Sequence, residues 1–284
     1  MDVRSLLRYD GTLPDPRATP GVKGGVKGGD KGGDKGKAKA RRQVAEMAPE
    51  LAQLQEQLFA NGKLGGRQSL LLVLQGRDAS GKDGTVKHVV GQVNPAGVRI
   101  TSFGKPTKEE LAHDFLWRIT QALPRPGELG VFNRSHYEDV LVVRVHDLVP
   151  RAVWSRRYAR INAWEKRLVA AGTPVVKVLL HLSPDEQKQR LLARLQDPTK
   201  HWKVGTADLP ERRLWPAYDE AYRAVLERTS TDVAPWYVVP ADRKWYRDWA
   251  VSSLLLESLR DLHLTWPTPE GMDLAAMEQQ LLAQ

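Results

Sequence analysis

One stretch, Ser69–Val90 (SLLLVLQGRDASGKDGTVKHVV), constrains this chain more than any other. Ser69–Leu74 is a short apolar run, long enough for a buried strand and too short for a membrane span. Gly76 to Lys82 then reads G-x-x-x-x-G-K. That is the spacing of a loop whose backbone N–H groups curl around a phosphate while its lysine reaches the outer oxygens. Thr85–Val90 can carry a helix, which would set the phosphate at a helix N-terminus, where unpaired amides favour anions. A glycine-rich turn with an exposed lysine has the same letters; the strand before and the helix after separate the two readings. Gly76, Arg77, Ala79, Ser80 and Gly81, with Asp83, Gly84 and Thr85 beyond the lysine, are the candidate phosphate contacts. Asp83 stands where a Ser or Thr hydroxyl ordinarily helps hold magnesium, so a metal must be held differently. Asp78 inside the loop is the candidate, because hard cations take carboxylate oxygens.

A net charge of +9 invites a nucleic-acid reading until it is located. Gly21–Arg42 holds eight Lys or Arg against two Asp, so most of the excess lies in one segment. No nucleic-acid partner is therefore expected. Within that segment Gly21–Ala40 repeats a lysine roughly every four residues, and glycine at that density predicts disorder. A solvated linker is favoured over a tether for a polyanion. The absence of cysteine excludes disulfides, thiolate metal sites and cysteine nucleophiles. The opening MDVRSLLRYDG has no apolar signal core and no later run approaches a membrane span, so a cytoplasmic protein with no membrane contact is expected.

The rest of the chain alternates strand and helix. Met1–Pro20 reads as an arm that Leu6, Leu7 and Tyr9 can pin to the body. Arg41–Gly62 carries Val44, Met47, Leu51, Leu54 and Leu58 at helical spacing. Strands are expected over Val98–Phe103, at Val131-Phe132, over Pro174–Leu182 and over Trp236–Val239. Helices are expected over Thr107–Leu123, where Thr107 and Glu110 form a capping box, and over Ala152–Ala171, Pro184–Leu195, Pro210–Arg228 and Lys244–Leu262. Strands alternating with helices predict a parallel sheet covered on both faces. With the phosphate loop after its first strand, the expected fold is α/β, a P-loop kinase of the thymidylate-kinase type with three layers. The expected layout is an arm and structureless segment over residues 1–42 and one domain over 43–284, with a helical lid at about 184–215.

Phosphoryl transfer asks for cations around the moving group, a carboxylate-anchored metal and alignment of donor with acceptor. A phosphate acceptor, its second pKa being about 6, needs no general base. Besides Asp78 and Lys82, the sequence offers Asn133-Arg134 at a strand's C-terminal end, where open α/β sheets gather ligands and arginine can clamp phosphate with a two-pronged fork. A surface arginine paired with Glu138 or Asp139 is the plainer reading. Arg190 and Arg194 share a helical face, and Lys200 and Lys203 follow between Pro198 and Gly205, as in a mobile cationic flap. Lys87, Lys105, Lys108 and Arg144 spread basic charge further than one nucleotide needs. The histidines form no metal-ligand pair; His113 and His136 read as packing residues.

Several blocks, GRDASGKDGT, NPAGVRITSF, EELAHDFLWR, FNRSHYEDVLVVRVH, RLQDPTKHWKV and PWYVVPADRKWYRDWA, resemble the polyphosphate kinase 2 family in content and order. The resemblance spans roughly residues 54–259. It implies a P-loop kinase fold with a lid, dependence on Mg²⁺ (Mn²⁺ as the alternative), and reversible phosphoryl transfer between inorganic polyphosphate and adenine nucleotides. It also implies a homo-oligomer, dimer or tetramer. By matching motif, Asp78 would hold the metal, Lys82 neutralise the transferring phosphate, Arg134 clamp it, and Arg194 and Asp208 serve in the lid. Apart from the resemblance, Gly76–Thr85, Lys87, Lys105, Lys200 and Lys203 are candidates to face the phosphates of a long polyanion. Many members carry aspartate at position 133; Asn133 is similar to the subgroup that accepts AMP as well as ADP. The Gly/Lys repeat has no counterpart in the family.

Two other readings remain at this stage. A thymidylate-kinase-like enzyme using ATP would share the fold and loop, and a non-enzymatic polyanion binder would keep the basic surface without turnover. A neutral amide at position 133 removes repulsion against a differently placed anionic acceptor. Asn133→Asp is therefore expected to narrow acceptor use, measured as AMP against ADP phosphorylation; equal rates with both acceptors in that variant would contradict this account.

Overall fold

The computed structural model describes residues 2–23 and 34–284. Five strands, β1 Leu70–Gln75, β2 Val98–Ser102, β3 Leu129–Asn133, β4 Val175–His181 and β5 Trp236–Pro240, form one sheet in the order β2-β3-β1-β4-β5. Every pairing is parallel, with Leu74 of β1 opposite Asn133 on one side and Val178 on the other. Helices α1 Val3–Leu7, α2 Asp34–Lys63, α3 Lys82–His88, α4 Lys108–Ala112, α5 Trp117–Gln121, α6 Val142–Val145, α7 Arg151–Ala170, α8 Pro184–Gln196, α9 Asp208–Arg213, α10 Trp215–Thr229, α11 Lys244–Arg260 and α12 Leu274–Leu282 complete the chain.

The unbroken apolar run of β1 has a direct physical cause. Leu70, Leu72 and Leu74 pack on one face with α2 and α11, while Leu71 and Val73 pack on the other with α5, α7 and α10. A central parallel strand is covered on both sides, so it cannot alternate apolar with polar residues. The three layers expected from the sequence follow. At its C-terminal end β1 lies between strands whose connections run to opposite sides of the sheet, the switch point where such folds bind ligands. One edge is closed by the N-terminal arm: Tyr9 N–H donates to the Trp236 carbonyl at 2.8 Å, and Leu7 is buried. Among the described residues, no helix is long and apolar enough to cross a membrane.

Three expectations need correction. Disorder was expected over residues 21–40, yet α2 begins at Asp34, and Gly36 and Ala40 are buried in it. Val22 is buried too, and the Tyr246 hydroxyl donates to the Pro20 carbonyl at 2.9 Å. Packing of small residues here overrides the low helix propensity of glycine; residues 24–33 lie outside the described residues. The helix expected over Thr107–Leu123 has its capping box but stops at Ala112. Asp114 then accepts from Leu116 N–H with its side chain and from Trp117 N–H with its carbonyl, opening a separate helix. The helix expected over Pro210–Arg228 is likewise two, because Pro216 in the first turn of α10 offers no N–H to continue an earlier helix. Helix α12, unpredicted from the sequence, has no buried residue.

Gly62, near the end of α2, lies against the turn before β3, where an added Cβ would fall 2.4 Å from Gly127 Cα. Alanine would ordinarily favour a helix by roughly 1 kcal/mol over glycine. Gly62→Ala is expected to lower stability instead, by about 1–3 kcal/mol, because backbone must move to admit the methyl. A raised urea midpoint would show that this close approach does not matter.

Candidate active site

The loop from Gly76 to Gly81 leaves β1 at the switch point and enters α3 at Lys82. Three of its residues, Gly76 at φ 152°, Ala79 at φ 63° and Gly81 at φ 106°, take positive-φ backbone. Gly81 has a second constraint: a Cβ there would meet Arg247 Nη1 at 2.0 Å. Lys82 is buried, and its Nζ donates to the carbonyls of Gly76 (2.6 Å) and Arg77 (3.2 Å). Burial, together with the neighbouring Arg134, pushes the Lys82 pKa down to about 8.

Across the loop, Arg134 follows β3 in a left-handed conformation, φ 63°. Its Nη2 donates to Asp78 Oδ1 at 2.6 Å, and its Nη1 lies 3.8 Å from Glu138 Oε2. Burial raises Glu138 above the ordinary carboxylate range against the pull of Arg134 and Lys82. Asn133 Nδ2 donates to Asp83 Oδ1 at 2.9 Å, and Lys203 Nζ, from the segment after α8, reaches Asp83 Oδ2 at 3.2 Å. Burial opposes ionisation of Asp83, but these two donors outweigh it and hold its carboxyl below the usual range.

An open cleft is lined by Asp78, Lys82, Asp83, Asn133, Arg134 and Arg194, with Lys203 and Asp208 also in its lining. A smaller cavity adjoins it and shares Asp78 and Arg134 with it. Its wall includes Arg77, Glu138, Arg212, Trp215, Tyr218 and Tyr222. Cations at the end of a P-loop strand, facing an open cleft, are an arrangement for binding phosphate chains.

Residues 34–265 match the family described as polyphosphate kinase 2. The chain belongs to the polyphosphate kinase 2 family. It is 54% identical over 220 residues to an AMP/ADP-polyphosphate phosphotransferase of Meiothermus ruber, covering 78% of this chain and 81% of the relative. It is 44% identical over 247 residues to an ADP-polyphosphate phosphotransferase of Rhodopseudomonas palustris, covering 82% and 84% of the two chains. The crystal structure of polyphosphate kinase 2 from Arthrobacter aurescens TC1 is similar at a TM-score of 0.91 with 46% identity, covering 100% of this chain and 98% of that one.

Most of the residues singled out in the sequence meet on this cleft of the polyphosphate kinase 2 fold: Asp78, Ala79, Gly81, Lys82, Asp83, Gly84, Asn133, Arg134, Arg194, Lys203 and Asp208 line it, and Gly76 and Arg77 line the adjoining cavity. Five expected phosphate contacts are not among the residues lining the cleft or the adjoining cavity. Thr85 is buried and its hydroxyl donates to the Gly81 carbonyl at 3.2 Å, while the Ser80 hydroxyl is buried without a partner. Lys200 pairs with Asp197 at 2.5 Å, and Lys87 and Lys105 are exposed away from the cleft lining. Arg190, expected on a mobile flap, is instead a strap: its Nη1 donates to the carbonyls of Ala79 (2.9 Å) and Ser80 (3.1 Å), its Nη2 to those of Ala241 (2.6 Å) and Asp242 (2.9 Å). Arg247, buried behind Gly81 and Gly84 and bonded to Asp248, had no sequence signal beyond being a basic residue in a helix. Arg77 stacks on Trp215, 3.8 Å from the ring centroid, and pairs with Asp219.

Lys82 can act on phosphate oxygens only while protonated. Below about pH 8 it carries its charge; above, the free protein loses it. The value of kcat/KM for the phosphate donor is therefore expected to fall as pH rises through about 8, with the kcat limb displaced to higher pH because bound phosphates hold the proton. In Lys82→Arg, charged throughout, the limb should move upward. A limb fixed near its original pH would assign it to another group.

Proposed function

We propose that this protein transfers the terminal phosphoryl group of inorganic polyphosphate to AMP and ADP, forming ADP and ATP, reversibly and by in-line displacement. The observation that carries the reading is the convergence of Lys82, Arg134 and Asp78 on one cleft with Asn133 beside them, in a chain so similar to the phosphotransferase of Meiothermus ruber that acts on AMP and ADP.

In this reading the acceptor's terminal phosphate, already ionised, attacks the end phosphorus of the polyphosphate chain. The bond to the next bridging oxygen breaks, and the shortened chain leaves with that oxygen's charge. Lys82 Nζ exchanges its carbonyl partners for phosphate oxygens. Arg134 turns its fork from Asp78 to the moving group, and Arg194 and Lys203 approach as the part of the segment 184–215 beyond the Arg190 strap closes over the cleft. Asn133, uncharged, tolerates the acceptor phosphate of either AMP or ADP.

The residues also fit a divalent cation, Mg²⁺ or in its place Mn²⁺. Among the described residues no three His, Asp or Glu side chains gather to enclose an ion, and magnesium on a phosphate substrate needs only one or two carboxylates plus the phosphates. Asp78, half-exposed between the two cavities, would hold it once Arg134 releases the carboxylate, with Glu138 close by. Such an ion supplies charge neutralisation across the transferring phosphates. A cytoplasmic homo-oligomer without nucleic-acid or membrane partners completes the reading, on the family resemblance and the absence of apolar spans.

The deciding assay gives the purified protein AMP, Mg²⁺ and either polyphosphate or ATP as sole donor, and follows nucleotides by chromatography. ADP and then ATP should appear from polyphosphate, with a loss of about 10²-fold or more in Lys82→Ala. Turnover with ATP alone would point to a nucleoside monophosphate kinase. Binding without turnover from either donor would leave a polyanion-binding protein.

A further inference from the structure

A second group of charges lies under the cleft and takes no part in lining it. Lys177 stands in the middle of β4 and Glu165 on α7, and both side chains are shut off from solvent. Lys177 Nζ donates to Glu165 Oε2 at 2.7 Å, to the Tyr137 hydroxyl at 3.0 Å and to the Thr229 carbonyl at 2.6 Å. That uses all three ammonium protons. The Tyr137 hydroxyl in turn donates to Glu165 Oε1 at 2.8 Å, and His136 Nε2 lies 3.2 Å from the same oxygen. Burial lowers the His136 pKa, so the ring is neutral and its Nε2–H is the donor. Burial also opposes ionisation of Glu165, but Lys177 and His136 outweigh it and keep it a carboxylate.

Such a pair is a poor source of stability. Desolvating two charges cancels much of their attraction, and well-packed apolar side chains of similar volume often serve a core as well or better. What apolar side chains lack is direction, and here the direction leads to Arg134. A left-handed backbone at a bulky residue persists only where its surroundings over-determine it. On the N-terminal side of Arg134, β3 does this, with Arg134 N–H donating to the Leu74 carbonyl at 3.1 Å. On the C-terminal side the Ser135 hydroxyl accepts from Tyr137 N–H at 3.2 Å. The rings of His136 and Tyr137 then pack against Trp164 and Trp236, with centroids 4.9 and 4.7 Å apart. His136 Nε2 and the Tyr137 hydroxyl both end on Glu165 Oε1.

We propose that the Glu165–Lys177 pair, acting through His136 and Tyr137, holds Arg134 in its left-handed conformation and so sets where its guanidinium meets the phosphoryl group. These four are positioning residues: none lines either cavity. The consequence for turnover rests on the proposed role of Arg134 as the phosphate clamp; the conformational half does not.

The experiment compares Tyr137→Phe and the paired variant Glu165→Leu/Lys177→Met with the parent and with Arg134→Ala. Both should keep a cooperative thermal transition, since one loses a single oxygen and the other exchanges charge for apolar volume. In both, amide hydrogen exchange over residues 134–141 should quicken by about tenfold while the β1 amides keep their rates. For folded protein, kcat should fall by about ten- to a hundredfold, as expected for a misplaced clamp, with KM for ADP changed by less than about threefold. A merely structural role would lower the thermal midpoint without that split. Unchanged exchange in both folded variants overturns the proposal. Quickened exchange with unchanged kcat, where Arg134→Ala is inactive, overturns the claim that turnover needs the anchored conformation. Full activity in Arg134→Ala itself would remove the clamp reading, while the exchange rates would still decide what holds the loop. Should the paired variant fail to fold, Tyr137→Phe carries the same comparison.

Discussion

Cations crowd the phosphate loop, and the surrounding structure is arranged around their mutual repulsion. Lys82, Arg77, Arg134, Arg190 and Arg247 all lie against it or its helix. The protein neutralises them in two ways. Arg77, Arg190 and Arg247 have partners that stay in place: Asp219 and the Trp215 face, four main-chain carbonyls with Glu186, and Asp248. Lys82 and Arg134 have weaker holds, two loop carbonyls for one and a carboxylate shared with solvent for the other. Burial first and the nearby Arg134 second depress the Lys82 pKa, so its ammonium demands negative charge. A polyanion entering the cleft meets that demand, so the sorting of cations into fixed and available is itself what makes the loop a binding site.

The sheet makes that sorting possible. Because β1 is buried on both faces and flanked by β3 and β4, its C-terminal end is the most rigid point from which a loop can start. The register brings Asn133 level with Leu74, which sets Arg134 directly across from the loop without any long connection. Arg190 then ties the first half of α8 to the loop and to the turn after β5, so the helix bearing Arg194 is fixed at one end and free to differ at the other.

What the sequence disclosed and what it hid divide along the range of the interaction. Loop, strands and the Thr107–Glu110 capping box are local patterns, and they appear where the letters put them. Asp78, Lys82 and Arg134 were legible because their motif spacing already implies a shared cleft. The roles of Arg190 and Arg247 were not, since their partners are main-chain atoms or glycines far along the chain, and a lysine or arginine on a helix looks the same whether it is a strap or a solvated charge. The Thr85 hydroxyl donates to the Gly81 carbonyl at the start of its own helix, a partner that its place in the motif does not indicate. Lys177, one polar letter in PVVKVLLHL, gave no sign that four elements converge on it. Residues 34–40 misled because glycine content measures local preference, and tertiary burial of Gly36 and Ala40 decided the outcome.

The contrast between buried and exposed polar contacts also explains how a closing cleft can accept a long chain. Lys203, Asp83 and Asn133 form a continuous string across the cleft, joining the segment after α8 to the residue proposed to distinguish acceptors. Asp83 is 64% exposed and Lys203 31%, so water competes for each bond and the string opens at little cost. Arg190, by contrast, is 9% exposed with its donors on main-chain carbonyls, and releasing it would leave buried acceptors unpaired. On the proposed reading the segment Pro198–Lys203 would lift while α8 stays attached, admitting a polyphosphate and returning Lys203 once the acceptor is in place. The acceptor would then displace the Asp83–Asn133 contact, so closure and acceptor choice would depend on one pair of side chains.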